Sequence, residues 1–317
     1  MSAVTPGRCV KVRVPATSAN LGPGFDTLGL ALAEYDELTV EALAPGELDI
    51  EVEGVGADEV PTDESHLVIS TIFYALQQLG FDKPGLRLRA NNTIPHGRGL
   101  GSSGAAIVAG IVAAAGLVED QQQVSDDTLL KLATTLEGHP DNVAPCLFGG
   151  LTIAWVTASG EPRSKKLMVD RGVSIVVLVP EETMSTSVAR SLQPSQVPHA
   201  DAIFNLSRAA LLVAALSQSP ELLFESTEDR LHQSYRAAAM PKTKELIDDL
   251  RAEGLAAVVS GAGPSVLVLC DDPADRLRAA EIAKSRTDTT WTAYLTAVDI
   301  QGATVEEVSK QTVSPSA

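Results

Sequence analysis

Pro95-His-Gly-Arg-Gly-Leu-Gly-Ser-Ser-Gly-Ala105 is the stretch whose reading decides how this chain folds. Glycine occupies positions 97, 99 and 101, two serines follow, and residues 105–118 carry no charge. Glycine lets the backbone bend and approach a ligand closely. Serine is a good N-cap for an apolar helix such as the one that follows. A glycine loop running into a helix N-terminus aims several N–H groups and the positive end of a dipole at one spot, which suits a phosphate. The spacing is not G-x-x-x-x-G-K-[ST] and no lysine follows the serines, so a Walker A loop is excluded. A plain glycine turn between a strand and a buried helix fits the same composition.

Working outward, a length of 317 residues suffices for two domains of ordinary size. A hydrophobic content of 44% supports sizeable cores. The formal net charge of −17 makes nucleic acid and anionic membranes poor partners. A phosphate must then be held locally, by backbone donors and a few chosen cations. Cys9, Cys146 and Cys270 are odd in number, far apart and outside any CxxC pair, which indicates neither a disulfide framework nor a zinc site. The first residues, MSAVTPGRCVKVRV, have no signal-peptide apolar core, and the uncharged run 105–118 is too short for a membrane span. The expectation is a reduced, cytoplasmic protein, with which a homodimer is compatible.

Residues 10–14 alternate and read as a strand ended by Pro15, with a glycine- and proline-bearing loop over 16–26. Residues 38–53 hold two strand-like alternations around Pro45-Gly46. Residues 63–79 have helical spacing that stops at Gly80, and 85–90 alternate again. After the glycine loop and its helix, 127–136 read as a helix, 151–156 as a strand and 158–166 as a polar hairpin tip or linker. Residues 172–179 form a continuous apolar run, hence a buried strand. Helical patterns cover 202–216, 221–238, 243–253 and 273–284. Short strands are expected at 256–259, 266–269 and within 291–298, and the polar tail after Val308 is expected to fray. Strands and helices mix without strict βαβ alternation, which predicts an α+β fold with a boundary near 158–170.

The order Pro95-x-x-x-Gly99-Leu100-Gly101-Ser102-Ser103 resembles the phosphate loop of the GHMP kinases, the superfamily of galacto-, homoserine, mevalonate and phosphomevalonate kinases. That family usually has alanine in place of Gly104. Two more strings carry the likeness: Ser18-Ala-Asn-Leu-Gly-Pro-Gly-Phe-Asp26, and Glu137-Gly-His-Pro-Asp-Asn-Val-Ala-Pro145 followed by Gly149-Gly150. Both resemble the homoserine kinase branch. Taken without the likeness, Asn20 and Asp26 are turn residues that cap backbone groups. Gly138 ends one helix while His139 and Asp141 cap the next. His139-x-Asp141 supplies too few ligands for a catalytic zinc.

The resemblance implies a two-domain GHMP kinase fold, with a ribosomal-S5-like domain at 1–165, a ferredoxin-like domain at 166–317 and the active site between them. It implies ATP-dependent phosphorylation of the L-homoserine hydroxyl to O-phospho-L-homoserine, a step of threonine biosynthesis. ATP would lie on Pro95, His96, Gly97, Arg98, Gly99, Leu100, Gly101, Ser102, Ser103, Gly104 and Ala105. Glu137 with Ser102 would hold Mg²⁺, an ion content with one or two carboxylates plus phosphate oxygens. Asn20, Asp26, Asp141 and Asn142 would face homoserine. Thr186 and Arg190, in T-x-x-A-R, and Arg236, after Tyr235, would clamp its carboxylate, for which arginine is the best-fitting cation. Arg230 competes for the second arginine role. By the same resemblance the catalytic set would be Asp26, Glu137 and Asn142. Mevalonate-type relatives place an aspartate base near Asn142, which cannot take a proton, so Asp26 is the one nearby carboxylate on offer.

Ser260-Gly-Ala-Gly-Pro-Ser265 resembles a third family motif, expected to steady the phosphate loop. His66, His96, His199 and His232 show no ligand spacing. Another GHMP small-molecule kinase, acting on mevalonate or a sugar, is the alternative function. A non-catalytic nucleotide sensor is a third; it predicts a broken loop or a lost Mg²⁺ ligand, and neither is present.

Overall fold

Strands alternate their side chains between two faces, so a run that is apolar at every position must be covered on both. The 172–179 run is such a case. It forms β7, and its odd and even positions enter different cores: Ile175 and Val177 join a large cluster, whereas Val176 and Leu178 join a second one. β7 is therefore the wall between two layers.

The computed structural model describes residues 2–308, and the polar tail expected to fray lies outside the described residues. The strands are β1 (Cys9–Ala19), β2 (Leu28–Leu43), β3 (Leu48–Gly54), β4 (Gly85–Asn92), β5 (Leu151–Val156), β6 (Pro162–Leu167), β7 (Ser174–Pro180), β8 (Ala256–Val259), β9 (Val266–Cys270), β10 (Trp291–Tyr294) and β11 (Thr304–Glu307). The helices are α1 (Leu67–Gln78), α2 (Ser102–Leu117), α3 (Asp126–Glu137), α4 (Pro140–Phe148), α5 (Thr186–Ser191), α6 (His199–Gln218), α7 (Leu223–Ser226), α8 (Gln233–Arg236), α9 (Pro241–Ala252) and α10 (Ala274–Ser285).

The first sheet is seven-stranded, with the path β11-β1-β2-β4-β3 and with β5 and β6 branching from β2. β3 and β4 are parallel and joined through α1. The second sheet is four-stranded, ordered β10-β7-β9-β8, with every pair antiparallel. Its βαββαβ succession and strand order are those of a ferredoxin-like sheet. The chain leaves the first sheet after Leu167 and returns at β11, where Val305 faces Val12.

α2 is apolar all round because it is buried all round. Its small residues allow close approach: a Cβ on Gly110 would stand 2.7 Å from Thr71 Cβ, and one on Gly116 2.6 Å from Val305 Cγ2. α6 is long and apolar enough in composition to cross a bilayer, but it buries Leu212, Ala215 and Leu216 and packs against α7.

Several local expectations change. Pro15 does not end β1; the strand continues to Ala19 past a bulge between Pro15 and Ala16, a place in a sheet that tolerates proline. The 158–166 stretch is a hairpin tip whose second half is β6, paired with β5. The helix expected over 221–238 is broken into two short α-helices by residues 227–232, where the Asp229 carboxylate collects the N–H groups of Leu231, His232 and Gln233. Only 291–294 of the 291–298 stretch is strand.

Candidate active site

α2 begins where the glycine loop ends. The N-cap is Gly101 at φ 69° and not a serine; Ser102 and Ser103 fill the first turn instead. No side chain caps the helix and no acidic residue sits in its first turn. Its first N–H groups are thus left to an outside acceptor. The loop needs its glycines. A Cβ on Gly99 would lie 2.2 Å from Ser260 O, and one on Gly101 2.0 Å from Thr17 Oγ1. The Ser260 hydroxyl donates to Gly99 O at 2.7 Å, Thr17 N–H to Leu100 O at 3.0 Å and Met184 N–H to Gly97 O at 2.8 Å. Leu100 is buried in the core. Arg98 is tied to backbone carbonyls: Nε donates to Pro180 O at 3.0 Å and Nη2 to Glu181 O at 2.8 Å, which joins the loop to the end of β7.

Across the cleft stands the 20–26 loop. Asn20, Leu21 and Asp26 have φ of 70°, 52° and 53°, a left-handed conformation uncommon for residues with a Cβ. Asn20 is buried; its Oδ1 accepts Asp26 N–H at 2.9 Å and its Nδ2 donates to Gly261 O at 2.9 Å. The Asp26 carboxylate pairs with Arg190, which rises from α5. Arg236 ends α8 with its side chain 2% exposed, and Nη1 donates to Gly261 O at 3.3 Å. Burial pulls the Arg236 guanidinium below the ordinary arginine value, with Asp26 opposing.

The third wall is the turn between α3 and α4. Gly138 at φ 90° ends α3, and Pro140 takes the first position of α4, where its missing N–H costs nothing. Glu137 is thereby presented to the loop, and the Ser103 hydroxyl donates to its Oε2 at 3.3 Å. Burial pushes the Glu137 carboxyl above its ordinary value, with His139 and Ser103 opposing. His139 Nδ1 lies 2.5 Å from Asp141 Oδ1. Burial opposes charge on His139, but the hydrogen bond and charge of Asp141 outweigh it and raise its pKa. Asn142 Oδ1 accepts the Thr17 hydroxyl at 2.9 Å. Among the described residues no cluster of three or more His, Cys, Asp or Glu could hold a metal ion.

These walls enclose a cleft of about 190 Å³. A second cavity of about 270 Å³ adjoins it, shares Ser102 and Ser103, and is walled by Val60, Leu67, Val68, Ala105, Ala106 and Ala109.

Residues 66–150 match the family described as "GHMP kinases N terminal domain", and residues 202–287 match "GHMP kinases C terminal". The chain is 64% identical over 310 residues to the homoserine kinase of Clavibacter michiganensis, covering 98% of each protein. It belongs to the homoserine kinase branch of the GHMP kinase family. The crystal structure of homoserine kinase from Cytophaga hutchinsonii aligns with a TM-score of 0.80 at 28% identity, over 94% of this chain and 97% of that one. The L. major mevalonate kinase, at 17% identity and a TM-score of 0.71 over 95% and 100%, shares the fold.

Asn20, Asp26, Asp141, Asn142, Thr186, Arg190 and Arg236 all line the one cleft, together with Gly97, Gly99, Gly101, Ser102, Ser103 and Glu137. Ser103, not Ser102, is the hydroxyl that touches Glu137. His96 lines the neighbouring cavity. Pro95, Leu100, Gly104 and Ala105 are buried beside the loop. Arg230 is elsewhere: it bonds to Asp201 and stacks on Phe204, its guanidinium 3.8 Å from the ring centroid. His139 was missed as a cleft residue. Its i, i+2 spacing to Asp141 was visible, but caps share that spacing.

Proposed function

We propose that the chain transfers the γ-phosphoryl group of ATP to the side-chain hydroxyl of L-homoserine. One observation carries this: a single cleft joins an uncapped helix N-terminus, one carboxylate suited to a metal, and two arginines with an aspartate that match an amino acid's charges. The adenine would enter the apolar cavity beside α2, since its walls are mostly aliphatic and it shares Ser102 and Ser103 with the cleft. The phosphates would meet the first-turn N–H groups of α2. Glu137, with Ser103 beside it, would hold Mg²⁺, whose chemistry is to neutralise the charge on the phosphate oxygens. Arg190 and Arg236 would take the homoserine carboxylate, Asp26 its ammonium, and Asn142 its hydroxyl, aided by Thr186 and Asp141. Phosphoryl transfer asks mainly for positioning and charge neutralisation, so an asparagine suffices beside the hydroxyl and the proton can leave with the phosphate.

A mevalonate-type mechanism is disfavoured because Asn142 has no basic function. A sensor role is disfavoured by the intact loop and the retained Glu137. The reading extends to a cytoplasmic enzyme that works as a homodimer; Ile203 and Leu206 on α6, 55% and 72% exposed, are surface a second copy would cover. ADP release from purified protein, with homoserine, mevalonate, galactose and shikimate offered separately, tests the acceptor. Preference for any but homoserine overturns it. Light scattering tests the dimer, and a monomer mass removes it.

A further inference from the structure

We infer that His232, which does not touch the cleft, is a positioning residue that sets the distance between the two halves of the amino-acid clamp, the 20–26 loop and Arg236. Backbone held in the left-handed region at three non-glycine positions persists only where its surroundings over-determine it. Part of what holds it comes from the second half of the chain. Asn205 Nδ2 donates to Pro23 O at 2.7 Å, and His232 Nε2 lies 2.7 Å from Gly22 O. A carbonyl only accepts, so Nε2 carries the proton, and Nδ1, which is buried without a partner, is bare. The ring is therefore neutral, the form that burial favours. Asp229 Oδ2 stands 3.7 Å from Nε2, beyond hydrogen-bond reach, and its carboxylate is occupied by three backbone N–H groups.

The same imidazole stacks on Phe25, with centroids 5.0 Å apart and planes 18° from parallel. The Arg236 guanidinium lies 5.1 Å from the Phe25 centroid. His232 is also the residue before α8, and its carbonyl accepts Arg236 N–H at 3.3 Å. One buried residue thus touches the loop at Gly22 and Phe25 with its side chain and, with its backbone carbonyl, starts the short helix that delivers Arg236. Asp26 lies one residue beyond Phe25. A shift at His232 moves the ammonium site and the carboxylate site relative to each other, while the contacts that brace the phosphate loop, from Ser260, Thr17 and Arg98, do not include His232.

The inference rests on Asp26 and Arg236 as the groups that bind homoserine. Its test compares His232→Gln, which keeps an N–H donor for Gly22 O, with His232→Met, of similar size and without one. Loss of one buried hydrogen bond corresponds to roughly tenfold in an equilibrium constant. The expected result is a homoserine KM raised about tenfold in His232→Met and within about threefold of wild type in His232→Gln, with the ATP KM steady in both. Equal homoserine KM in the two variants, or an ATP KM that rises in step, overturns it. Failure of His232→Met to fold assigns the residue to the core and overturns it too. Wild-type protein that makes no ADP from homoserine would instead remove the acceptor assignment on which it rests.

Discussion

Arg190 and Asp26, 164 residues apart, meet face to face across the cleft: Nη2 lies 2.9 Å from Oδ1 and Nη1 3.2 Å from Oδ2. Their side chains are 40% and 37% exposed. A pair this open to water is worth only about 0–1 kcal/mol. In the proposed reading, an arriving amino acid separates them cheaply, offering its carboxylate to one and its ammonium to the other. The pair keeps both charges compensated until then.

Arg190→Ala should raise the homoserine KM. Leaving a substrate carboxylate without its partner costs about 2 kcal/mol or more, roughly thirtyfold. The ATP KM should hold. Arg190→Lys should recover little of the loss, because an ammonium cannot reproduce the two-pronged contact. Steady-state kinetics with each substrate varied in turn decides this; an unchanged homoserine KM removes Arg190 from the site.

Glu137→Gln keeps the shape of the α3–α4 turn and removes the negative charge. The Mg²⁺ concentration needed for half-maximal rate should rise and kcat should fall on the order of hundredfold. Melting temperature should not drop, since burial disfavours the ionised carboxylate in the free protein. Full activity at unchanged Mg²⁺ demand would show that the cation sits elsewhere.

Gly104 and Gly101 should behave oppositely. A Cβ on Gly104 meets Asn142 Cβ at 3.4 Å, an ordinary contact, whereas one on Gly101 meets Thr17 Oγ1 at 2.0 Å with φ at 69°. Gly104→Ala should stabilise by about 0.5 kcal/mol, the helical preference for alanine, with activity retained. Gly101→Ala should destabilise the loop and raise the ATP KM. Thermal melts alongside ATP kinetics compare the two, and a Gly104→Ala that melts lower than wild type contradicts the geometry.

Acidification should weaken the fold partly through His232. Burial depresses its folded pKa below the ordinary histidine value near 6.5. The unfolded chain then binds the proton first, so stability is lost as pH falls from about 6.5 toward the depressed folded value. His66 has the same sign, and His139, with a raised pKa, the opposite one. The difference between wild type and His232→Gln isolates one group. Between about pH 7.5 and 5.5 the melting temperature of the variant should fall less than that of wild type; equal falls would mean that His232 does not resist protonation.

Much of the site was legible in sequence because its pieces are local. The glycine loop, the Glu137–Asn142 turn and the 20–26 loop each announce themselves by residues a few positions apart, where backbone geometry alone makes the spacing meaningful. The apolar runs that became α2 and β7 were legible for the same reason. Arg236 and Arg230 were not separable, since both follow a helical pattern that the fold then breaks. The break depends on Asp229 gathering three backbone N–H groups, a competition between side chain and helix that periodicity does not register. The direction of the Arg98 side chain was not legible either: it is set by carbonyls at the end of β7, some eighty residues later.

What the sequence by itself determined is the set of local devices: a glycine loop, an apolar helix behind it, a carboxylate at a helix end, and through them the family; that nothing caps the start of that helix was decided by the structure. What the tertiary structure decided is which of them face one another. Arg190 reaches Asp26, Arg236 is buried against Gly261, and His232 meets Gly22 and Phe25, because α5, α8 and the β8–β9 turn are folded back onto residues some two hundred positions earlier. Those meetings are set by how the two sheets share one core, and no pattern confined to neighbouring residues contains them.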